Sequence, residues 1–497
     1  CTTSTLTFSA DEAGRYFILI SATNAGGTTE KEIRIDVFQL DVPTISIADA
    51  DKGFKVLQGS ELTITPIVDS FLETSYSWQI NGEDISNELT CTLPTIELGE
   101  YQVRFATHNE DGDDEVTFKV EVCSPDQVDF NWTFLQTEYN MSAGRTIRIK
   151  PVDVNNALDA VYTWTVDNEQ VQSGENDTYL FTSEQQGEHT VKVEMKNSYI
   201  LATQTLKVNV CPPAGTYQRK ISATSSASMN KVYEYLPAPG QFINENHNTI
   251  TMAEACTYAE ERINQTAYVS LGGFGGYIIV GFDHSIVNDG DYNIAITGNA
   301  FDGSSEPGIV WVMQDENGDG LPNDTWYELR GSEYGKAETW QDYAVTYHKP
   351  TGIQLPTPWT DNHGQSGSID YLGAFHRQDY YYPAWVKEKQ YTLRGTRLKE
   401  RNYDQSGNGT YWVNDSYEWG YADNFSAIDR LTDDDNYNAG PSDNHFKISH
   451  AVTFDGKDAN LKYVDFIKVQ VGVNSKSGWL GEISTEVFGI KDFNMLK

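Results

Sequence analysis

The chain has 497 residues, of which 72 are Asp or Glu and 35 are Lys or Arg, so its formal net charge is −37 at pH 7. This charge argues against a nucleic-acid partner, because no basic stripe remains to release counterions from a phosphate backbone. No run of about 20 apolar residues occurs, so any membrane attachment is expected to be through a covalent lipid. Aromatic residues make up 12%, with 29 Tyr and 11 Trp, which is typical of a β protein with an adhesive surface.

The first 211 residues contain repeated copies of one sequence pattern. A Tyr-x-Trp motif ends at Trp78 and again at Trp164, and a Gly-x-Tyr/His element begins at Gly14, Gly99 and Gly187. Short alternating strands broken by Gly, Asn and Asp predict antiparallel sandwiches, each with its tryptophan in the core. Stacked modules of one kind usually present another domain, so the function is expected in the unique remainder.

The repeats also set the expected domain boundaries. Pro212 and Pro213 mark the main boundary, because consecutive prolines cannot continue a strand ladder. Cys123 and Cys211 end equivalent repeats and are interpreted as small apolar fillers at the module junctions. The expected segments are a partial module at 1–40, full modules at 41–123 and 124–211, and a larger domain at 217–497.

Cys1 leaves two interpretations open. It aligns with Cys91 ahead of the Gly-x-Tyr element, so the first copy lacks its front half and the intact protein would continue upstream. Alternatively, Cys1 is the lipidated N terminus of a bacterial lipoprotein whose signal peptide has been removed.

The C-terminal part predicts one helix followed by widely spaced strands. Thr251 and Glu254 form a capping box, and Ala255, Ala259 and Ile263 recur at helical spacing. The later strands are joined by long aromatic loops, which predicts a jelly-roll-like domain with a large loop insertion. The expected fold class is therefore all-β: tandem Ig-like sandwiches followed by a larger jelly-roll-like β domain with one short helix.

An acidic loop at 315–324 predicts a calcium site. Oxygen ligands at alternate positions and a glycine in the tight turn are what a calcium ion with six to eight ligands requires. The match to an EF-hand is incomplete, because Trp326 stands where the bidentate glutamate is expected and Glu328 follows two residues later. A solvated acidic turn is the alternative. The predicted ligands are Asp315, Asn317, Asp319, Asn323 and Asp324.

The stretch from Trp340 to Tyr421 is rich in aromatic rings interspersed with Gly, Asn, Asp and Arg. Loops of this composition resemble antibody paratopes, in which rigid rings give contact area at low entropy cost. The alternative is that the rings cover the domain's own core, and we expect half of them to do so. The predicted ligand-binding residues are Trp340, Trp359, Tyr380, Tyr381, Tyr382, Trp385, Tyr411, Trp412 and Trp419.

The sequence offers little support for catalysis. The glycine-rich stretch at 271–276 lacks the Lys-Ser/Thr ending of a phosphate loop and leads into a strand. No His-Glu-x-x-His or Gly-x-Ser-x-Gly motif occurs, and carboxylates are too plentiful to single out a glycosidase pair. We therefore expect a protein that is not an enzyme.

Two parts of the chain resemble known families. The pattern in 1–211 resembles the Ig-like and polycystic-kidney-disease-like (PKD-like) modules of bacterial surface proteins, which implies a spacer role. The segments at 270–284, 298–310 and 478–486 are similar to a family of cell-surface lipoproteins of gut Bacteroidetes that carry a BtuH-type cobalamin-binding domain. This second resemblance covers about 217–497.

The second resemblance implies an outer-membrane lipoprotein on the bacterial cell surface, facing the outside. Such a protein captures cobalamin (vitamin B12) or a related corrinoid and passes it to a TonB-dependent outer-membrane transporter. A histidine such as His363 or His376 would then be a candidate ligand of cobalt. The apolar residues of the resembling segments, Trp479 among them, are interpreted as fold determinants.

Cobalamin suits the composition of the loops, because a corrinoid has flat apolar faces and a rim of amide groups. An oligosaccharide fits the same description, so a calcium-assisted glycan-binding lipoprotein is the main alternative. An adhesin whose last domain binds another protein and an enzyme acting on glycans also remain open.

Overall fold

The computed structural model describes residues 5–10, 14–37, 40–48, 50–70, 72–124, 127, 131–155, 157, 159–197, 200–245, 247–431 and 441–497. Cys1 lies outside the described residues. The chain divides into two compact units, Cys1–Val56 with Glu61–Val122, and Leu57–Ser60 with Cys123–Lys497. Strands dominate, and the described residues contain one α-helix, which confirms the all-β fold class. No helix among them is long and apolar enough to cross a membrane.

The N-terminal strands form a hairpin and one sandwich module. They are β1 (Gly14–Asn24), β2 (Gly27–Val37), β3 (Thr44–Ser46), β4 (Phe54–Leu57), β5 (Leu62–Ile64), β6 (Ile67–Asp69), β7 (Ser75–Ile80), β8 (Glu83–Ser86), β9 (Cys91–Leu93), β10 (Gly99–Asn109) and β11 (Gly112–Cys123). β1 pairs with β2, and the module has a sheet of order β4-β11-β10-β7-β8 with the pairs β3-β6 and β5-β9. Trp78 on β7 is fully buried, as predicted, and its ring lies 4.6 Å from that of Phe105.

The next module repeats this architecture. Its strands are β12 (Glu138–Ser142), β13 (Thr146–Ile149), β14 (Val161–Val166), β15 (Glu169–Gly174), β16 (Tyr179–Thr182), β17 (Gly187–Lys196) and β18 (Leu201–Cys211). The main sheet has the order β12-β18-β17-β14-β15, and β13 pairs with β16. Trp164 on β14 is fully buried in the core of this module. We call residues 124–211 the third module.

The C-terminal domain contains the helix and the remaining strands. They are β19 (Lys231–Leu236), α1 (Met252–Asn264), β20 (Val269–Ser270), β21 (Tyr277–Val287), β22 (Ile294–Gly298), β23 (Gly308–Met313), β24 (Trp326–Leu329), β25 (Trp340–His348), β26 (Thr357–Asp361), β27 (Ser366–Ile369), β28 (Gln390–Arg397), β29 (Asn402–Asp404), β30 (Trp412–Asn414), β31 (Ser442–Phe446), β32 (Ala451–Val452), β33 (Tyr463–Val471), β34 (Glu486–Val487) and β35 (Gly489–Asp492). Single 3₁₀ turns lie at Ile448–His450, Gly478–Leu480 and Phe493–Met495.

The sheets of this domain surround one large core. The main sheet has the order β19-β21-β33-β23-β24-β32, a second has β31-β22-β35, a third has β27-β26-β25-β28, and β20-β34 and β29-β30 are pairs. Helix α1 begins with the predicted capping box: the Thr251 side chain accepts from the Glu254 amide, and the Glu254 side chain accepts from the Thr251 amide. Its buried face, with Ala255, Ala259 and Ile263, packs into the core.

Polar contacts join the third module to the C-terminal domain. Asp342 forms ion pairs with Arg148 at 3.0 Å and with Lys150 at 2.7 Å. Arg145 Nη1 donates to the carbonyl of Ala459 at 2.6 Å. These contacts lie within one compact unit, so the third module is docked on the domain that it precedes.

Candidate ligand-binding surface and metal sites

Most of the predicted ligand-binding rings belong to the interior of the C-terminal domain. Tyr381 and Tyr382 are each 1% exposed and Trp385 is 6% exposed. Their polar atoms bond backbone carbonyls, since the Trp385 Nε1 donates to Tyr235 at 3.2 Å and the Tyr382 hydroxyl donates to Glu388 at 2.9 Å. These three side chains therefore support the loops and do not form a binding surface.

Three more predicted rings, those of Trp340, Trp359 and Tyr380, are partly buried against the same core. The ring of Trp340 lies 4.2 Å from that of His363 and nearly parallel to it, and the Arg397 guanidinium is 4.4 Å from its centre. The ring of Trp340 is thus engaged by side chains of the domain itself.

Tyr411 and Trp412 lie where three loops meet at the surface. The loops, at 370–377, 402–412 and 475–481, together carry apolar side chains that are between 42% and 65% exposed. We call these side chains the aromatic surface; they are Phe375, Tyr403, Tyr411, Trp479 and Leu480. The rings of Phe375 and Trp479 are 6.3 Å apart.

Short-range contacts fix the loop at 475–481 against the β29-β30 hairpin. The Asn402 amide donates to the Lys476 carbonyl at 2.7 Å, and the Ser477 hydroxyl donates to Asn414 Oδ1 at 2.6 Å. Gly478 has a φ of +52°, and a Cβ there would lie 2.2 Å from Trp412 Nε1. The indole of Trp412 therefore packs directly on the backbone of the turn that presents Trp479.

A buried hydroxyl holds the loop that carries Phe375. The Tyr381 hydroxyl accepts from the Leu372 amide and donates to the His376 carbonyl, both at 3.0 Å. The His376 ring is fixed too, because its Nδ1 lies 2.6 Å from Glu245 Oε1. These hydrogen bonds hold the loop in place while the Phe375 side chain remains 65% exposed.

Trp419, the last of the predicted rings, lines a separate cavity of about 250 Å³. Its ring is 5.1 Å from that of His450. On the cavity wall, Lys447 Nζ lies 4.7 Å from the ring centre of Tyr292. Burial and the nearby positive charges of Lys447 and Arg330 lower the pKa of His450. The full lining is Tyr292, Leu329, Arg330, Trp419, Gly420, Ile428, Asp429, His445, Phe446, Lys447 and His450.

The predicted calcium loop forms a compact turn whose side chains gather around Asp319. Asp319 Oδ2 accepts from the amides of Asn317 at 2.8 Å and Asn323 at 2.9 Å. The Asp315 carboxylate accepts from the backbone amides of Gly318 at 2.7 Å and Gly320 at 3.0 Å. Four of the five predicted ligands therefore lie around one turn. Each carries an oxygen of the kind that calcium binds, and in this structure Asn317 and Asn323 direct their amide nitrogens to Asp319.

The fifth predicted ligand, Asp324, is directed to the base of the loop. Its Oδ2 accepts from the Glu316 amide at 2.9 Å, whereas its Oδ1 is buried with no hydrogen-bond partner among the described residues. Burial raises the pKa of Asp324 to about 8. The neighbouring Glu316 accepts from the Ser142 hydroxyl of the third module at 2.9 Å. The loop is therefore built into the junction between the third module and the C-terminal domain.

Trp479 and Leu480 have a different position from the one predicted. The sequence interpretation assigned the apolar residues of 478–486 to the fold, but Trp479 is 51% exposed and Leu480 is 42% exposed. The available signal in the sequence was the pair of glycines, Gly478 and Gly481, that flank them, because closely spaced glycines indicate a turn and turns lie at the surface. Both glycines have positive φ in the structure.

Comparison with known proteins identifies the repeats. The PKD-like domain family matches 42–109 and 134–197. The chain therefore carries Ig-like β-sandwich repeats of the PKD-like kind, as the sequence pattern predicted. Modules of this kind are typically non-catalytic. No curated protein matches the chain.

Several solved structures resemble part of the chain at low identity. They include the Clostridium thermocellum CbhA fibronectin(III)-like modules (15% identity, 36% of this chain and 100% of that one, TM-score 0.19). The N-terminal Ig1-2 module of the Drosophila receptor protein tyrosine phosphatase DLAR matches with 12% identity, 34% and 97% coverage and a TM-score of 0.18. The first three domains of the bacteriophage RB49 Hoc protein match with 13% identity, 41% and 80% coverage and a TM-score of 0.19.

Proposed function

We propose that this protein is a non-catalytic binding protein of the bacterial surface that captures cobalamin or a related corrinoid on its C-terminal domain. The Ig-like modules carry this domain as a spacer. The observation that carries the proposal is the aromatic surface, with its two rings of Phe375 and Trp479 only 6.3 Å apart and both more than half exposed. Exposed rings in contact with each other on a protein of net charge −37 mark an interaction site.

The chemistry of this surface matches that of a corrinoid. The flat faces of the macrocycle stack on aromatic rings, and its amide rim requires hydrogen-bond partners. Such partners lie on the same loops, where the Asp370 carboxylate is 2.7 Å from Lys476 Nζ and Asn408 occupies an exposed turn. Rigid rings bind with a small loss of conformational entropy.

Size favours the open surface over the cavity as the corrinoid site. The cavity beside Trp419 has about 250 Å³, whereas pockets for drug-sized ligands usually have about 300–1,000 Å³. A corrinoid is larger than a typical drug. It therefore binds across the three loops and does not enter the cavity.

Calcium has a place in this proposal as a structural ion at the acidic loop. Asp315, Asn317, Asp319 and Asn323 would hold it, with Asp324 at the base. The buried and unpartnered oxygens of Asp324 and Glu316 support this assignment, because buried polar atoms without a partner are costly unless an ion or water satisfies them. When bound, the ion neutralises the charge at the junction with the third module.

A glycan is the second candidate ligand, and the cavity beside Trp419 favours it. The cavity joins one indole ring with polar groups of Asp429, His445 and Arg330, an arrangement that suits a single sugar ring. The two candidates thus use different sites. Corrinoid binding depends on Trp479, and glycan binding depends on Trp419.

Equilibrium dialysis of the full chain separates the two candidates. Cyanocobalamin is retained by the wild-type protein and by Trp419→Ala, but Trp479→Ala retains at least tenfold less. A glycan ligand gives the reverse dependence. Phe454→Ala serves as the matched control, because Phe454 is also exposed, at 38%, but lies against Arg148 of the third module. Equal retention by Trp479→Ala and wild type would overturn the assignment of the aromatic surface.

A surface location completes the proposal. The protein would be held at the outer membrane by a lipid and would pass the corrinoid to a TonB-dependent transporter. The spacer modules support this role, since stacked sandwiches are usually found where a binding domain is held away from its anchor. Cell fractionation with surface labelling tests the location independently of ligand binding.

A further inference from the structure

Three carboxylates from distant parts of the C-terminal domain meet in its interior. Glu306 precedes β23, Asp423 lies in the loop after β30, and Glu486 begins β34. One carboxylate oxygen from each lies within 4.8 Å of the others. Asp423 has no exposed surface and Glu486 is 4% exposed. The cluster, which we call the carboxylate triad, is separate from the acidic loop at 315–324.

Backbone amides fix the central member of the triad. Asp423 Oδ1 accepts from the amides of Asn299 at 2.8 Å and Ala300 at 2.9 Å, and its Oδ2 accepts from the Glu486 amide at 2.9 Å. This carboxylate is therefore held in one orientation by two chain segments.

The second carboxylate supplies an independent observation. Glu486 Oε1 is buried and has no hydrogen-bond partner among the described residues. The carboxyl groups of Glu486 and Glu306 are close neighbours, with one oxygen of each within 4.8 Å of the other. A buried oxygen that accepts no hydrogen bond requires a partner of another kind.

No lysine or arginine of the described residues supplies that partner. Among the described residues, no lysine or arginine forms an ion pair with Glu306, Asp423 or Glu486. Three carboxylates this close cannot all be ionised without a counterion, so they must bind either protons or a metal ion.

We propose that the carboxylate triad binds a divalent cation, and that the cation is calcium. The triad offers oxygen only, and such sites take hard cations such as calcium and magnesium. The three oxygens lie within 4.8 Å of one another, close enough for one shared ion. Magnesium keeps several waters and is usually held by one or two carboxylates, whereas calcium takes six to eight oxygens in a flexible geometry, so three buried carboxylates suit calcium.

A cation at the triad would link two chain segments that lie next to the loops of the aromatic surface. Glu486 closes the segment that begins with the turn carrying Trp479 and Leu480. Asp423 binds the amides of Asn299 and Ala300, which precede the partly exposed ring of Phe301. Calcium at the triad would therefore hold the base of these loops in place. The proposal does not depend on the identity of the captured ligand.

Calcium stoichiometry of the full chain tests this site. The chelator-treated protein is titrated with calcium alone by calorimetry, and bound calcium is counted by elemental analysis after dialysis. Glu486→Gln keeps the size of the side chain and removes its charge, so this variant loses one of the calcium equivalents that the wild type binds. Glu328→Gln is the matched control, because Glu328 is a buried carboxyl outside the triad, and this variant keeps the wild-type number.

Each outcome decides the question. A folded Glu486→Gln, with wild-type near-ultraviolet circular dichroism, that binds as much calcium as the wild type overturns the proposal in favour of a proton-sharing cluster. A second variant covers the case in which Glu486→Gln does not fold. Asp319→Lys changes an exposed side chain and abolishes a cation at the acidic loop alone. It should retain one equivalent of calcium, and retention of none would overturn the triad site.

Discussion

Phe375 and Trp479 lie on two loops that are far apart in the sequence, yet their ring centres are 6.3 Å apart. Both rings are more than half exposed, at 65% and 51%. A chain gains little stability from apolar rings that remain in contact with water, since the hydrophobic contribution scales with the area that is buried. Their exposure is therefore explained better by a ligand than by the fold.

Trp479→Ala is expected to remove binding while the protein stays folded. About half of the side chain is exposed, so the free energy of unfolding should fall by only about 1–2 kcal/mol, less than for a fully buried tryptophan. Loss of a central aromatic anchor commonly costs 2 kcal/mol or more of binding free energy, which is about 30-fold in affinity. Thermal unfolding and ligand titration of the same sample check both expectations. A variant that melts far below the wild type would instead assign Trp479 to the fold.

Tyr381→Phe and Tyr382→Phe form a matched pair, because both rings are 1% exposed and each hydroxyl bonds the backbone. Removing the Tyr381 hydroxyl leaves the Leu372 amide and the His376 carbonyl without their partner, which frees the loop that carries Phe375. Tyr382 bonds Glu388 instead. Each variant should lose about 1–3 kcal/mol of stability.

Only Tyr381→Phe should also weaken ligand binding, because only its hydroxyl holds a loop of the aromatic surface. Parallel titrations of the two variants at a temperature where both are folded measure the difference. Equal affinities would show that the loop is positioned by other contacts.

The junction between the third module and the C-terminal domain contains a buried hydrogen bond and two exposed ion pairs, whose contributions to stability can be compared. Ser142→Ala removes the donor to the buried Glu316 carboxylate and should cost about 1–3 kcal/mol. Asp342→Asn weakens two ion pairs whose carboxylate side chain is 47% exposed, and such pairs contribute about 0–1 kcal/mol each. Scanning calorimetry should thus show a larger fall in melting temperature for Ser142→Ala. The reverse order would mean that the docking is mainly electrostatic.

Glu328 makes the stability of the C-terminal domain depend on pH. Burial raises its pKa from 4.5 to about 7, although hydrogen bonds from Thr396 and Gln341 and the charge of Lys468 oppose the shift. The folded state therefore holds a proton that the unfolded state has released, so stability falls as the pH rises from about 4.5 through 7. The difference of about 2.5 pKa units corresponds to about 3 kcal/mol.

Glu328→Gln should remove the part of this decline that comes from Glu328. Urea unfolding at pH 5 and pH 8 measures it, and the loss between the two pH values should be smaller for the variant than for the wild type. The control is Glu388→Gln, which changes an exposed glutamate of the same domain and should leave the decline unchanged. An unaltered decline in Glu328→Gln would assign the pH dependence to other groups.

The correct predictions about the fold rest on patterns of residues that are close together in the sequence. The capping box of Thr251 and Glu254 needs only four consecutive residues, and the burial of Trp78 and Trp164 follows from a repeated motif. The repeated motif did not predict the hydrogen bonds of the two indole rings. The Trp78 Nε1 donates to the Glu88 carbonyl at 3.0 Å, whereas the Trp164 Nε1 has no partner among the described residues.

The location of the exposed rings depends on packing between distant segments, which composition does not reveal. Tyr381 is buried and Tyr411 is 55% exposed, although both lie in the same aromatic stretch. Trp479 lies outside that stretch and joins its surface through tertiary contacts, such as those of the turn at Gly478 with Trp412 and of its own ring with Phe375. The carboxylate triad is similar, because Glu306, Asp423 and Glu486 are brought together only by the fold.

Calorimetric titration of the full chain with cyanocobalamin, in the presence of calcium, decides whether this protein captures a corrinoid. We expect saturable binding of one cobalamin per chain with a dissociation constant of about 1 μM or lower, corresponding to at least about 8 kcal/mol of binding free energy. The absence of heat and of retained cobalamin at protein concentrations well above this value would rule out cobalamin capture.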